Sequence, residues 1–410
     1  MESIASLARL DAKIAECDAA ASDAALREIF ATFRMEPPLV GVNPFSSEYL
    51  SAQMALYKTI TEKNYQVTNE ETKFDIDAAA RRPFPYGTNS AEVVGNQLLA
   101  IGSLLRRLDV PAGARILEFG PGWGNTTLAM AMAGYEVTAV DIEPRFCELI
   151  KRRAAQNDVS IQVVNSDFMW AENVKEPYDA VVFFECFHHC ADHMRLLKAL
   201  RTAVKPEGRV YFGAEPITDE FPAPWGLRLD GESLWAIRKH GWLELGFTEK
   251  YFEQALHSAG WDVVKYASGD HFSANVWEAK HLENVEVVVP ATSASIGSVI
   301  GSRTKQGITV EGSSNGWAFF GPYLRLPAGK WIAKAILASN SATCGVGTVD
   351  VCAGSAATVI ATEVVDLSRL SRNAIQVTFE VSKATTNVQM RFFCTEGVSF
   401  ALEAIEFRHG

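Results

Sequence analysis

The sequence predicts an α/β fold, a doubly wound and largely parallel sheet, with a helical segment before it and an antiparallel β-sandwich after it. Residues 1–80 carry apolar residues at helical three-and-four spacing, and residues 110–280 alternate short β-branched or aromatic runs with helix-length segments. After residue 282 the strand-like runs continue between Gly, Ser, Asn and Thr clusters, but the helix-length segments disappear. We therefore predict three regions, at 1–80, 81–281 and 282–410.

The composition fits a globular protein and argues against several function classes. A chain of 410 residues with 48% hydrophobic and 21% charged residues has enough apolar material for more than one core. The net charge of −11, without Lys/Arg clusters, argues against a nucleic-acid-binding surface. Neither a signal-peptide core nor an apolar run of ~18 residues that would predict a membrane span is present. Seven scattered cysteines fit reduced thiols and predict a cytoplasmic location.

The N-terminal region has the pattern of amphipathic helices. Apolar residues recur at Leu7, Leu10 and Ile14, and Pro37 and Pro38 end the region because proline cannot continue a helix. Two interpretations stay open: the helices pack on their own domain, or they form a short coiled-coil contact that makes the protein a homo-oligomer.

A glycine-rich loop follows the first strand of the α/β region, in the run ILEFGPGWGNTT. Gly120, Gly122 and Gly124 allow a sharp turn and let a ligand lie against bare backbone N–H groups, as in Rossmann-like domains. The dinucleotide fingerprint would place glycine where Asn125 stands, and Glu118 precedes the loop. Because a carboxylate repels a pyrophosphate, this loop indicates a ligand with an amino group or positive charge.

Two further acidic residues stand at the ends of the next two strands. Asp141 ends the second strand, where an acid can accept both hydroxyls of a ribose, and Asp167 ends the third, where it can accept from an exocyclic amine. Phe168 is available to stack on a base. Since the carboxyl ends of parallel strands share one sheet edge, we expect these acids and the glycine loop to form one ligand site.

This ordered set resembles the class I S-adenosylmethionine-dependent methyltransferases over about residues 84 to 280. The resemblance implies a seven-stranded sheet with a reversed last strand, formed from WDVVKYAS and NVWEAK. It also implies that the loop Gly120 to Gly124 holds the methionine part of S-adenosylmethionine, Asp141 the ribose, and Asp167 with Phe168 the adenine. The upstream run RRPFPYGTNSAEVVG is similar to the family's N-terminal cap on the cofactor, with Tyr86 as a candidate contact.

The run FECFHHC, which follows the fourth strand, raises the question of a metal site. His189 and His193 are four residues apart and would share a helix face, with Cys190 beside them. No second ligand pair with zinc-like spacing accompanies them, so we predict that no metal is bound. The cysteines of this run are expected to pack.

The same run provides candidates for a general base. A hydroxyl acceptor must lose its proton to attack a methyl group, and an imidazole or carboxylate can take that proton. His188 or His189 is the candidate base, with Glu185 to orient or assist it, and Glu215 ends the fifth strand at the same edge. The alternative is that both histidines are structural, in which case His240, in the long following connection, is the spare base.

The C-terminal region resembles, with less specificity, the carbohydrate-binding-like jelly-roll domains of bacterial polysaccharide-building enzymes. Trp317, Phe319, Phe320 and Tyr323 would stack on a sugar or fill the core. We therefore predict a methyltransferase that O-methylates a sugar or glycan intermediate. The alternatives are a non-catalytic glycan-binding or assembly protein that keeps the fold, and a methyltransferase acting on another small molecule.

Overall fold

The structure is a computed structural model that describes residues 1–37, 41–81, 90–282, 286–312, 315–338, 344–354, 358–370, 373–382, 385–395 and 397–409. These residues form two compact units, Met1–Lys280 and His281–Gly410. Among the described residues, no helix combines the length and the apolar character needed to cross a bilayer.

Most helices of the first unit begin where serine, threonine or acidic side chains cap them, whereas the helix after Gly124 begins without a side-chain cap. Ser6, Ser22, Ser46 and Ser90 each accept a hydrogen bond from a first-turn backbone amide, which satisfies one otherwise unpaired donor. The described helices are α1 (Leu7–Asp18), α2 (Asp23–Phe30), α3 (Ser47–Thr61), α4 (Ile76–Arg81), α5 (Ala91–Leu105), α6 (Asn125–Met132), α7 (Pro144–Gln156), α8 (His193–Ala203), α9 (Gly231–Trp235) and α10 (Glu249–Ser258). A π-turn, Ala236–His240, extends α9.

The strands of the first unit build one large sheet and two small pairs. They are β1 (Glu2–Ser3), β2 (Phe33–Arg34), β3 (Arg115–Phe119), β4 (Glu136–Asp141), β5 (Ile161–Asn165), β6 (Tyr178–Phe184), β7 (Val204–Gly213), β8 (Trp225–Leu227), β9 (Leu245–Phe247), β10 (Trp261–Tyr266) and β11 (Val276–His281). The large sheet has the order β10-β11-β7-β6-β3-β4-β5, with β3 to β7 parallel and β11 antiparallel to β7. The predicted doubly wound, Rossmann-like sheet with a reversed strand is therefore confirmed.

The predicted N-terminal helices and the sheet share one hydrophobic core. Leu10 and Ile14 of α1 are buried in the same cluster as Phe183 of the central strand β6, whose ring stacks on that of Phe212 at 5.3 Å. The connection after β7 joins this packing, since Tyr49 of α3 donates a hydrogen bond to a β8 carbonyl. The helical apolar spacing is therefore explained by burial within the chain, and an oligomer contact through these helices stays a prediction.

The second unit consists of antiparallel strands in two sheets. The strands are β12 (Glu286–Pro290), β13 (Ser302–Arg303), β14 (Ile308–Val310), β15 (Gly316–Leu326), β16 (Gly329–Leu337), β17 (Val346–Ala353), β18 (Thr358–Asp366), β19 (Ala374–Val381), β20 (Thr385–Cys394) and β21 (Phe400–His409). The described sheet orders are β13-β14-β21-β16-β19, with β12 beside β21, and β15-β20-β17-β18.

Residues of both sheets contribute to one core in the second unit, which confirms a β-sandwich. Alternation along β19, whose residues are buried at every second position, shows one face turned to that core. Phe319 is fully buried in it, so of the two interpretations left open its ring fills the core. Trp317 lies under the Arg391 guanidinium at 4.5 Å, and Tyr323 is 45% exposed.

Candidate active site

The carboxyl edge of the large sheet gathers the residues that the sequence singles out. The glycine loop follows β3, Asp141 ends β4, and Asp167 lies two residues after β5. Glu185 follows β6 and Glu215 lies two residues after β7. Parallel strands place these positions at one edge, which is where doubly wound sheets bind ligands.

Gly120 and Gly122 of the loop have different reasons to be glycine. Gly120 (φ 57°) has no room for a side chain, because a Cβ there would lie 2.7 Å from the Cβ of Cys186. Gly122 (φ 51°) is left-handed too, but nothing lies within 4 Å of the position that its Cβ would take. The loop therefore packs on Cys186 on one side and leaves open space at Gly122, as a loop that receives a ligand requires.

Gly120→Ala is expected to lower the free energy of unfolding by about 2–4 kcal/mol, from the clash with Cys186 and the left-handed backbone together. Gly113→Ala is the matched control, because Gly113 also has a positive φ (73°) but no atom within 4 Å of its Cβ position. The measurement is urea unfolding of both variants. Equal losses would contradict the packing role of Gly120.

Glu118 lies beneath the loop rather than in its open space. Its side chain is buried, 1% exposed, and accepts a hydrogen bond of 2.5 Å from the Thr127 hydroxyl of α6. Burial raises the pKa of Glu118 to about 8, against the opposing effect of the Thr127 hydrogen bond. Through the hydrogen bond from Thr127, Glu118 links the loop to α6.

Asp141 holds the glycine loop in place and keeps acceptor capacity for a ligand. Its Oδ2 accepts from the Gly122 amide at 3.0 Å and its Oδ1 from the Glu143 amide at 2.9 Å. Burial raises the pKa of Asp141 to about 6, while these two hydrogen bonds act in the opposite direction. A carboxylate has about four lone-pair positions, so two amides leave acceptor capacity for ribose hydroxyls.

The remaining predicted cofactor contacts lie beside this loop or outside the described residues. Asp167 accepts from the Met169 amide at 2.9 Å and thereby begins a 3-10 turn, Phe168–Asn173. Phe168 reaches within 3.7 Å of the Cβ position of Gly120, which places its ring against the loop. Tyr86 lies outside the described residues.

A segment just before α4 covers the glycine loop, a contact that no sequence motif predicts. The Thr72 amide donates to Glu143 at 2.7 Å, and the Phe74 ring packs on Trp123 at 4.9 Å and on Phe146 at 4.8 Å. Residues 72–74 thus contact the loop at Trp123, whereas the cap predicted near Tyr86 lies outside the described residues.

Glu215 organises the turn that carries the two histidines. Its Oε1 accepts from the amides of Cys186 (2.9 Å) and Phe187 (2.8 Å). Its Oε2 accepts from the His188 amide (3.2 Å) and contacts the His188 Nδ1 atom at 2.8 Å. Burial opposes its charge, but the His188 and backbone hydrogen bonds lower the pKa of Glu215, so it is ionised.

The ionised Glu215 fixes the tautomer of His188. A carboxylate only accepts hydrogen bonds, so the 2.8 Å contact requires His188 Nδ1 to donate. In the neutral ring the lone pair is then on Nε2, which lies 3.7 Å from the Glu244 Oε2 atom. His188 is buried, and its ring centroid lies 4.2 Å from that of His189.

His189 is surrounded by residues that sequence reasoning did not select. Its Nδ1 lies 3.3 Å from Glu70 Oε2, and its carbonyl accepts from the Tyr65 hydroxyl at 3.3 Å. Burial disfavours the imidazolium, but the charge of Glu70, followed by those of Glu244 and Glu215, raises the pKa of His189 to about 9.

Glu185 lies beside the histidine turn in a strained backbone conformation. It has a left-handed φ of 55°, and Ala214, at the end of the neighbouring strand, has the same value. The side chain of Glu185 is exposed, but the surrounding protein removes part of the hydration of its carboxylate. This desolvation, and then the charges of Glu215 and Glu244, raise the pKa of Glu185. Strain of this kind in a non-glycine residue is frequent at functional sites.

We refer to Glu70, Glu185, His188, His189, Glu215 and Glu244 as the polar centre. Glu70 comes from a 3-10 turn of the N-terminal region, Val67–Glu70, and accepts from the Leu243 amide at 2.9 Å. Glu244 precedes β9 and lies 3.4 Å from the Arg228 Nη1 atom. The N-terminal region and the long connection after β7 thus close over the histidine turn.

The other histidines singled out by the sequence lie away from the polar centre. His193 is buried and its Nε2 contacts the Tyr251 hydroxyl at 2.8 Å, within the apolar core. His240 is exposed and stacks on Trp242 at 4.5 Å. These contacts do not bring it to the polar centre, where a spare base would have to lie. Cys190 is buried, and Cys186 is fixed under the glycine loop, as expected for packing cysteines.

Comparison with known proteins finds a family match in the central part of the chain. Residues 116–208 match a family model described as "Methyltransferase domain". The "Ubiquinone biosynthesis O-methyltransferase" of Xanthomonas axonopodis pv. citri (strain 306) is 28% identical over 123 residues, 30% of this chain and 50% of that protein. The protein of the same name from Actinobacillus pleuropneumoniae serotype 5b (strain L20) is 29% identical over 105 residues, 24% of this chain and 45% of that protein.

Solved structures with a similar arrangement include methyltransferases. A "SAM dependent methyltransferase" from Aquifex aeolicus has 15% identity and a TM-score of 0.35, covering 50% of this chain and 97% of its own. A mitomycin 7-O-methyltransferase has 18% identity and a TM-score of 0.36, covering 57% of this chain and 66% of its own.

The chain spans about half the length of the curated relatives it matches. The family match supports the prediction of a methyltransferase domain over residues 116–208. This match does not identify the methyl acceptor or the function of the rest of the chain.

Proposed function

We propose that this protein is an S-adenosylmethionine-dependent O-methyltransferase whose acceptor is a hydroxyl of a sugar or glycan intermediate. The observation that carries the proposal is His188: Glu215 holds its Nδ1, and its Nε2 lone pair lies in the polar centre at the carboxyl edge of the sheet. A cytoplasmic location, inferred from the reduced cysteines, belongs to the same proposal.

The residues of the glycine loop fit S-adenosylmethionine. The open space at Gly122 receives the methionine part, the Asp141 carboxylate accepts from the ribose hydroxyls, and Phe168 lies beside the loop to stack on the adenine. Bound there, the cofactor supplies a methyl carbon on a positively charged sulfonium. The acidic surroundings favour such a cation.

The polar centre supplies what an oxygen acceptor requires. A hydroxyl becomes a good nucleophile when its proton leaves, and His188 Nε2 is a fixed lone pair at which it can be activated. The relatives named O-methyltransferases are consistent with an oxygen acceptor. Glu70, Glu185 and Glu244 add acceptors for the several hydroxyls of a sugar, which supports that acceptor class over an apolar one.

Asp141→Ala is expected to weaken S-adenosylmethionine binding at least about 100-fold, because it removes hydrogen bonds from the ribose and unties the Gly122 amide. Isothermal titration calorimetry with wild type and variant measures this change. Asp270→Ala, which removes an exposed carboxylate in another loop, is the control and should bind as wild type does.

Two outcomes of that titration would contradict parts of the proposal. Absence of binding by the wild-type chain would refute the methyltransferase. Binding without methyl transfer to any of a panel of monosaccharides, nucleotide sugars and phenols, followed by mass spectrometry, would favour the non-catalytic glycan-binding alternative.

A further inference from the structure

The polar centre combines the side chains that bind divalent transition metals. His188 and His189 each offer a ring nitrogen and Glu244 offers a carboxylate oxygen, and these three atoms lie within 4.8 Å of one another. Ligand atoms about 2.0–2.2 Å from one zinc ion lie about 3.3–3.6 Å apart, which is close to the 3.7 Å between His188 Nε2 and Glu244 Oε2. Small side-chain rotations would bring the set to bonding distance.

The surroundings of His188 have the arrangement of a metal-bound imidazole. Histidine ligands usually donate their second N–H to a carboxylate, which fixes the tautomer and raises the basicity of the ligating nitrogen. Glu215 does this at 2.8 Å and is itself fixed by three backbone amides. The Nε2 lone pair that results faces Glu244, an acceptor with which it cannot form a hydrogen bond in this tautomer.

His189 supplies an independent observation. Its buried Nδ1 is paired with Glu70 Oε2 at 3.3 Å, as the Nδ1 atom of His188 is paired with Glu215 at 2.8 Å. The charge around it is strongly negative: Glu70, Glu185, Glu215 and Glu244 converge there, and Arg228 offsets one of these charges through Glu244. A divalent cation bound here would replace the proton that the same carboxylates hold on the His189 ring.

We propose that His188, His189 and Glu244 bind a divalent cation of the zinc, manganese or cobalt type, which activates the acceptor hydroxyl. Two imidazoles and one carboxylate favour these ions over magnesium, which prefers oxygen ligands, and three protein ligands leave positions open for an acceptor. The prediction from the sequence that no metal is bound rests on another set of candidate ligands, His189, Cys190 and His193. That set does not include Glu244.

The role of the ion rests on the proposed function, whereas its binding does not. A divalent cation lowers the pKa of a neighbouring hydroxyl, so that its O–H bond breaks near neutral pH. The proton passes to the exposed Glu185 carboxylate, and the electron pair stays on the oxygen to form the bond to the methyl carbon. The C–S bond of the sulfonium breaks with its electron pair going to sulfur.

The test is cobalt binding to the full, untagged chain after removal of metals with a chelator. We expect one Co²⁺ per chain, with visible d–d absorption of a site that contains nitrogen ligands, and displacement by Zn²⁺. His189→Ala and Glu244→Gln should each weaken Co²⁺ binding at least about tenfold. His257→Ala on α10 and Glu207→Gln at an exposed position of β7 are controls that should bind Co²⁺ as wild type does.

Calorimetry with S-adenosylmethionine on the metal-free chain reports separately on the proposed function and on folding of each variant. Absence of stoichiometric Co²⁺, Zn²⁺ and Mn²⁺ binding, or equal binding by both site variants, overturns the metal site. Full methyl transfer by metal-free protein overturns the role of the ion while the methyltransferase stands. Co²⁺ binding without S-adenosylmethionine binding supports the site and refutes the methyltransferase.

Discussion

His188→Ala is expected to lower kcat for methyl transfer by about 10²–10⁴-fold, the usual contribution of a group that activates the nucleophile. The affinity for S-adenosylmethionine should stay within about twofold of wild type, because the residues that fit the cofactor are Gly122, Asp141 and Phe168. The loss is expected whether Nε2 takes the proton or binds an ion. Calorimetry and single-turnover assays of the variant separate cofactor binding from chemistry.

His189→Ala and His257→Ala complete this experiment. His257→Ala on α10 should be as active as wild type. His189→Ala should lose less activity than His188→Ala if an imidazole acts as the base, and a comparable amount if both histidines bind one ion. Full activity of His188→Ala would contradict the assignment and return the base to a carboxylate such as Glu185.

The grouping of the glycine loop, Asp141 and Asp167 at one sheet edge could be predicted because its determinants are local in sequence. The glycines follow β3 directly, and Asp141 and Asp167 end or follow strands whose periodicity is clear. A parallel sheet then brings these positions to one edge without any knowledge of side-chain packing. What the sequence could not show is which glycine is pressed against Cys186 and which is open.

The acceptor side could not be predicted because it depends on contacts between distant segments. Glu70 meets the Leu243 amide across 173 residues, and Glu244 meets His188 only after the connection beyond β7 folds onto the N-terminal helices. Neither acid lies in a motif. The same packing keeps His240, the spare base suggested by the sequence, beside Trp242.

Glu215→Gln and Glu215→Ala are expected to fail in different ways. Alanine leaves the amides of Cys186, Phe187 and His188 without their acceptor inside the protein, which should cost about 3–5 kcal/mol of unfolding free energy. Glutamine can keep its carbonyl oxygen on the first two amides, so it should fold with a smaller loss. Urea unfolding measures both values, and equal stabilities would contradict the buried network.

The glutamine variant should nevertheless lose activity about as severely as His188→Ala. Its amide nitrogen, placed against His188, is a donor, so the ring must accept at Nδ1 and carry its proton on Nε2. The Nε2 atom then carries a proton and offers no lone pair to the polar centre, although every other atom of the turn stays in place. Variants that hold the wrong tautomer in this way lose up to about 10⁴-fold in kcat. The ¹⁵N chemical shifts of the imidazole report the tautomer directly. A folded Glu215→Gln with the wild-type tautomer and wild-type kcat would show that Glu215 serves stability alone.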